Sequence, residues 1–198
     1  MSVDWIWWLG QIVGILGLLL GINAFRQKLD IDFKKHMVVF CIVESCHFAI
    51  MSAWSACFGC LLNGCRAFAS IKTRSKTVMW IFLLVLWSVG ILSLVGFNIN
   101  LIVQTYKSSG ICEVVSILLK EPYRLFPILG STIGTVGLFL LSGIRLRATV
   151  FICSFLWLIH NLIVVSIGPS IMELCFMYMN FRTIRKLMRE QRKQESTK

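Results

Sequence analysis

Charge is the scarcest property of this 198-residue chain. Asp, Glu, Lys and Arg make up 15% of it, where a soluble globular domain carries about 25%. A separate water-soluble domain is therefore excluded. Catalytic signatures are missing too. There is no H-E-x-x-H, no Walker loop, no G-x-S-x-G and no aspartate cluster, so the common marks of metalloproteases, nucleotide-binding enzymes and serine hydrolases are absent. The expectation is that the chain is not an enzyme. The eight cysteines, at 41, 46, 57, 60, 65, 112, 153 and 175, follow no framework. The C-x-x-C of Cys57 and Cys60 has no second pair and no nearby histidine. They read as small polarizable packing residues, and neither a metal nor a cofactor is expected. No basic segment precedes the first apolar run and no A-x-A follows it, so no cleavable signal peptide is expected.

What is present is hydrophobic length. The chain is 57% hydrophobic with a mean hydropathy of +0.79. Apolar runs of roughly 20 residues span a bilayer, and the runs here predict seven transmembrane helices, at 5–25, 37–54, 56–71, 78–97, 126–142, 149–165 and 169–184. Trp5, Trp7 and Trp8 mark a membrane–water interface at the first. The segment 26–36 reads as a charged loop, and 185–198 as a polar, basic tail held near anionic lipid heads. The longest connection is 98–124. Its stretch 111–119 is apolar but holds Glu113 and is too short to cross, so it reads as an interfacial segment or a helical extension.

The net charge of +11 first suggests a nucleic-acid partner. The basic residues, however, sit at the ends of apolar runs, so no nucleic acid is expected, and membrane lipid is. Seven spans put Lys107, Lys120 and Arg124 on one side and the other seventeen Lys and Arg on the opposite side. By the positive-inside rule the N-terminus lies outside and the C-terminus in the cytoplasm.

Spans one to three resemble spans five to seven. Gly10, Gly14 and Gly17 match Gly130, Gly134 and Gly137 at an offset of 120, and His47 matches His160 at an offset of 113. The third span of each triple has an Asn ahead of an Arg, Asn63 with Arg66 and Asn180 with Arg182. Glycine stripes let helices approach closely, within a bundle or between protomers, so a homo-oligomer stays open. The fold class is thus an all-α integral membrane protein in a 3+1+3 parallel-repeat arrangement, a plan of the SWEET type. Its domains are a first three-helix bundle at 1–77, a linker helix and external loop at 78–124, and a second bundle with the basic tail at 125–198.

Several runs also carry a family resemblance: Asn63-Gly-Cys-Arg66 through Ser75, Phe126-Pro-Ile-Leu-Gly130 through Gly134, Trp157-Leu-Ile-His160-Asn161, Ser166-Ile-Gly168 and Met179-Asn180. Together they resemble the YgjV-type inner membrane proteins of bacteria over nearly the whole chain, most weakly at 98–121. The resemblance implies a multi-pass protein of the bacterial inner membrane and supplies no substrate. More distantly the chain is similar to the SWEET, PQ-loop and KDEL-receptor superfamily.

Ionisable and amide groups inside apolar runs are functional candidates, because hydrocarbon tolerates them only against a protein interior or a wet cavity. Counting along the helices puts His47, Asn63, His160 and Asn161 near mid-membrane, and Glu173 and Asn180 on one face of the last helix. The expected substrate-binding set is Asn63, Trp157, His160, Asn161, Glu173 and Asn180, lining one cavity between the two bundles. Glu44, His47, His160 and Glu173 are the proton-coupling candidates. The bland alternative is interhelical hydrogen bonding, at about 0.6 kcal/mol per group. Three functions compete: a carrier of a small polar solute, a pH-dependent receptor or sorting protein on the same fold, and a non-transporting structural membrane component.

Overall fold

The computed structural model describes residues 5–94, 103–110, 122–163 and 165–196. The expected interfacial stretch 111–119 and the end of the fourth span, 95–97, lie outside the described residues. Seven long helices organise the described residues: α1 (Trp5–Arg26), α2 (Asp30–Ile50), α3 (Trp54–Lys72), α4 (Lys76–Leu94), α5 (Phe126–Leu140), α6 (Gly143–Ile163) and α7 (Ile167–Ser196). A 3₁₀ turn, Pro122–Leu125, leads into α5, and residues 103–110 are helical.

Three helical segments are long and apolar enough to cross a membrane, Trp5–Arg26, Pro122–Leu140 and Gly143–Ile163, and Lys76–Leu92 is a shorter apolar helix. The remaining helices mix charge into their ends. Their outward faces are nonetheless apolar: Trp80, Ile81 and Leu84 of α4, and Ile171, Leu174 and Tyr178 of α7, are exposed. In water so extensive an apolar surface would drive aggregation. Against lipid it is the ordinary outer face of a membrane helix.

Helix boundaries depart from expectation where charge was read as loop. Helix α2 starts at Asp30, because Asp30 and Asp32 in the first turn favour its N-terminal dipole. Helix α6 starts at Gly143, so Arg145 and Arg147 are helical. The tail is helical to Ser196. At 1.5 Å per residue its 30 residues run about 45 Å, well beyond a hydrocarbon core of about 30 Å.

The helices pack as two layers. In one, α2 lies between α1 and α3; in the other, α6 lies between α5 and α7. The outer helices meet across the layers, α1 with α7 and α3 with α5, and α4 packs on α5. The middle helices meet at one end, where the Asp30 carboxylate accepts the Gly143 N–H at 2.6 Å. An aromatic cluster fills the space between layers: Phe25 stacks on Phe176 at 4.5 Å, and Phe40 and Phe33 pack edge-on against Phe176 and Phe25.

Contacts in the two layers recur at an offset of 113. His47 Nδ1 lies 2.7 Å from the Gly10 carbonyl, and His160 Nδ1 lies 3.0 Å from that of Tyr123. The turn after α2 has Ser52 at φ 58° and the turn after α6 has Val165 at φ 55°. Both turns are closed alike, by Ser52 N–H to Ala49 and Ala53 N–H to Phe48 in one, and by Val165 N–H to Leu162 and Ser166 N–H to Asn161 in the other. The glycines obey the same register. Gly17 faces Glu44 and Gly21 faces Phe40, while Gly130 faces Trp157 and Gly134 faces Cys153. The expected glycine match at an offset of 120 is therefore corrected: Gly17 corresponds to Gly130 and Gly21 to Gly134. The same register sets Asn63 opposite Phe176 and Ser70 opposite Thr183, so Asn63 and Asn180 are not counterparts. A stripe repeating every three or four residues matches itself equally well after a slip of seven, which is two helical turns, so spacing alone could not fix the register.

Candidate functional site

The glycine stripe of α1 is a bed for the polar groups of α2. A methyl group at Gly14 would stand 3.0 Å from the His47 ring, and one at Gly17 would collide with the Glu44 carboxyl. Only glycine lets these side chains lie against bare backbone. His47 presents its Nδ1–H to the Gly10 carbonyl, and Glu44 is buried beside it. These two proton-coupling candidates thus share one seam, between α1 and α2.

The other candidates divide between two faces of α6. Trp157 and His160 point toward α5 and the turn before it: Trp157 packs over Gly130, and His160 bonds Tyr123. The face toward α7 carries Arg147, Ser154 and Asn161 at intervals of seven, a spacing that keeps one helix face. All three are buried. Running antiparallel, α7 and the turn before it answer with Asn180, Glu173 and Ser166. Asn180 is 0% exposed and donates from Nδ2 to the Arg147 carbonyl at 2.7 Å. The Ser154 hydroxyl reaches the Glu173 carboxyl, whose Oε2 is buried without a hydrogen-bond partner among the described residues. The Ser166 N–H donates to the Asn161 carbonyl at 2.8 Å. Glu173 and Asn180 therefore belong to one polar ladder with Ser154 and Arg147; Asn161 lies on the same face of α6, tied to the turn through its backbone carbonyl as Phe48 is in the other layer. Trp157 and His160 do not join it, and Asn63, half-buried on α3, does not either.

Three basic residues that sequence reasoning read as topology markers are built into the interior instead. Arg147 is 0% exposed; its guanidinium donates to the Gln27 carbonyl at 2.7 Å and lies 4.0 Å over the Phe33 ring. Lys34 is its counterpart at an offset of 113, and donates to the Ser70 and Leu138 carbonyls at 3.1 and 2.6 Å. Each cation reaches carbonyls at the end of a helix in the opposite layer, Arg147 just past α1 and Lys34 at α5, where the helix dipole is negative. Arg66 of α3 donates to the Ser131 carbonyl and the Thr135 hydroxyl of α5. The one signal available was the interval of seven linking Arg147 to Ser154 and Asn161.

The seam between α2 and α3 has the same frame and different chemistry. Positions equivalent to Arg147, Ser154 and Asn161 hold Lys34, Cys41 and Phe48, and those equivalent to Asn180, Glu173 and Ser166 hold Ala67, Cys60 and Ala53. Apart from Lys34 and the Ser45 hydroxyl, which donates to the Cys57 carbonyl at 3.0 Å, the first seam is closed at these positions by thiols and apolar groups.

A family model described as bacterial inner membrane protein, Imp-YgjV, matches residues 8–191. The inner membrane protein YgjV of Escherichia coli (strain K12) is 28% identical over 187 residues, spanning 94% of this chain and 88% of its own length. No solved structure matches the chain. With its several apolar helices, the chain belongs to the YgjV family of bacterial inner membrane proteins.

Proposed function

We propose that the chain is a carrier of a small polar solute, with the ladder between α6 and α7 as its solute- and proton-handling site. The observation that carries this reading is the contrast between the two seams. Cys41, Cys60, Phe48 and Ala53 close one seam, so the frame does not need Ser154, Glu173, Asn161 and Ser166 to close the other. Polar groups that a membrane interior penalises and the frame does not require have another use. Glu173, with a buried oxygen free to accept a proton or a donor group, is the coupling residue; Asn161 and Ser154 supply flanking hydrogen bonds. Asn180 is a positioning residue, since its donor is spent on the Arg147 carbonyl. Glu44 and His47 form a second protonatable pair, and Trp157 and His160 gate the approach from the α5 side. No enzymatic step is assigned.

The transport cycle we propose is a rocking of one three-helix layer against the other, with seven membrane crossings, the N-terminus outside and the C-terminus in the cytoplasm. The uniform offset of 113, through histidine bonds, turns and glycine contacts, supports a parallel duplication of the SWEET kind. Alternating access by rocking of repeats is the general behaviour of such carriers. The test is uptake into proteoliposomes from a pool of polar bacterial metabolites, with internal pH followed in parallel. Wild-type protein is expected to accumulate at least one solute, and Glu173→Gln to stop accumulation without lowering the melting temperature. Equal uptake by both proteins, or by neither, overturns the proposal.

A further inference from the structure

Helix α7 continues for six turns beyond Glu173, whereas its counterpart α3 stops at Lys72, three turns past Cys60. The added length builds a cleft. Arg26 at the end of α1 and Arg182, Arg185, Lys186 and Arg189 on α7 surround a cavity of about 620 Å³, with Met179 and Thr183 completing the lining. That volume falls in the range of small-molecule sites, roughly 300–1,000 Å³. Five cations and no carboxylate line it. The nearby acid Glu190 is not among the lining residues and is engaged first by Lys28; it offsets part of the Lys186 charge and leaves the four arginines.

Two features make this more than a solvated charged face. Thr183 is buried and its hydroxyl donates to the Phe25 carbonyl at 2.9 Å, which clamps α7 to the end of α1 and keeps Arg26 opposite Arg182 and Lys186. Arg182 and Arg185 lie over the rings of Tyr178 and Phe181, at 5.8 and 5.7 Å from the ring centroids. The aromatic faces lie against the guanidinium groups themselves, whose N–H edges stay available for forked hydrogen bonds. Planar guanidinium groups are the preferred partners of phosphate oxygens. Met179 adds an apolar lining group, suited to the glyceryl or acyl part of an ester.

We propose that this cleft binds a phosphate ester anion, presented either by an acidic phospholipid headgroup or by a soluble organic phosphate. The inference stands independently of the carrier reading. The test uses full-length protein with two probes: nanodiscs of phosphatidylcholine with and without phosphatidylglycerol, read by native mass spectrometry, and glycerol phosphate in solution, read by calorimetry. Arg182→Gln with Arg185→Gln is compared with Lys35→Gln with Lys107→Gln, which removes the same charge from exposed sites outside the cleft. The cleft pair is expected to weaken the bound anion tenfold or more, and the control pair less than twofold. Loss in the nanodisc arm alone assigns a lipid headgroup, and loss in the solution arm assigns a free phosphate ester. Equal weakening by both variant pairs, or no preference of the wild type for either anion, overturns the proposal.

Discussion

The seam between α2 and α3 and the seam between α6 and α7 have turns closed alike and a buried cation each, Lys34 and Arg147. They differ in what lies between. One has Cys41 and Cys60 where the other has Ser154 and Glu173. The comparison separates what the frame needs from what it merely carries. Shared features, such as the basic anchors Lys34 and Arg147, the glycine contacts and the histidine-to-carbonyl bonds, are structural. Features present on one side only are Glu44 on the α1–α2 seam and Glu173 on the α6–α7 seam, and the proposed carrier function rests on them.

If the anchors are structural in both copies, removing either breaks the protein. Arg147→Ala and Lys34→Ala each leave buried carbonyls without a donor, at about 1–3 kcal/mol, and Arg147→Ala also loses its packing on Phe33. Both should unfold well below wild type when melting is followed in detergent, Arg147→Ala lower. The glycine bed gives the next effect. Gly17→Val forces a collision with Glu44 and should cost about 1–3 kcal/mol, whereas a Cβ at Gly59 meets nothing within 4 Å, so Gly59→Ala should leave melting unchanged or raise it slightly. Equal responses at the two glycines would break the packing account.

Much of this frame was legible in the sequence. Seven apolar segments read from composition correspond to seven helices, and the glycine stripe of α1 meets a neighbouring helix as such stripes do. His47 and His160, matched as the one histidine of each run, make like contacts, each to a carbonyl 37 residues earlier in the chain. The anchors were not legible. A basic residue at the end of an apolar run looks the same whether it reaches lipid heads or turns inward to a carbonyl of another helix, and only tertiary contact distinguishes Arg147 from Arg145. The division of Trp157 and His160 from Glu173 and Asn180 was hidden for a similar reason: helical spacing shows which residues share a face, not which neighbour that face meets.

Smaller effects sharpen the comparison. His47→Ala and His160→Ala each remove one interhelical bond, at about 0.6 kcal/mol, so their melting shifts should agree closely; a large shift at one alone would show that it does more than its counterpart. The Lys28–Glu190 pair has no copy in the first half and is exposed. Its hydrogen bond from Lys28 holds the Glu190 carboxyl below the ordinary value of 4.5. A native pKa below the unfolded one stabilises above that ordinary value, and the contribution fades as pH falls through it. Exposed pairs contribute little, so Glu190→Gln should lower melting only slightly at neutral pH, and the difference from wild type should vanish well below pH 4.5.

The most direct test places the thiols of the first seam in the second. Ser154→Cys with Glu173→Cys, kept reduced, copies Cys41 and Cys60 into the second layer. The account predicts a melting temperature equal to or above that of the wild type, together with loss of solute accumulation. A collapse in melting temperature, or full transport by the doubly substituted protein, would contradict it.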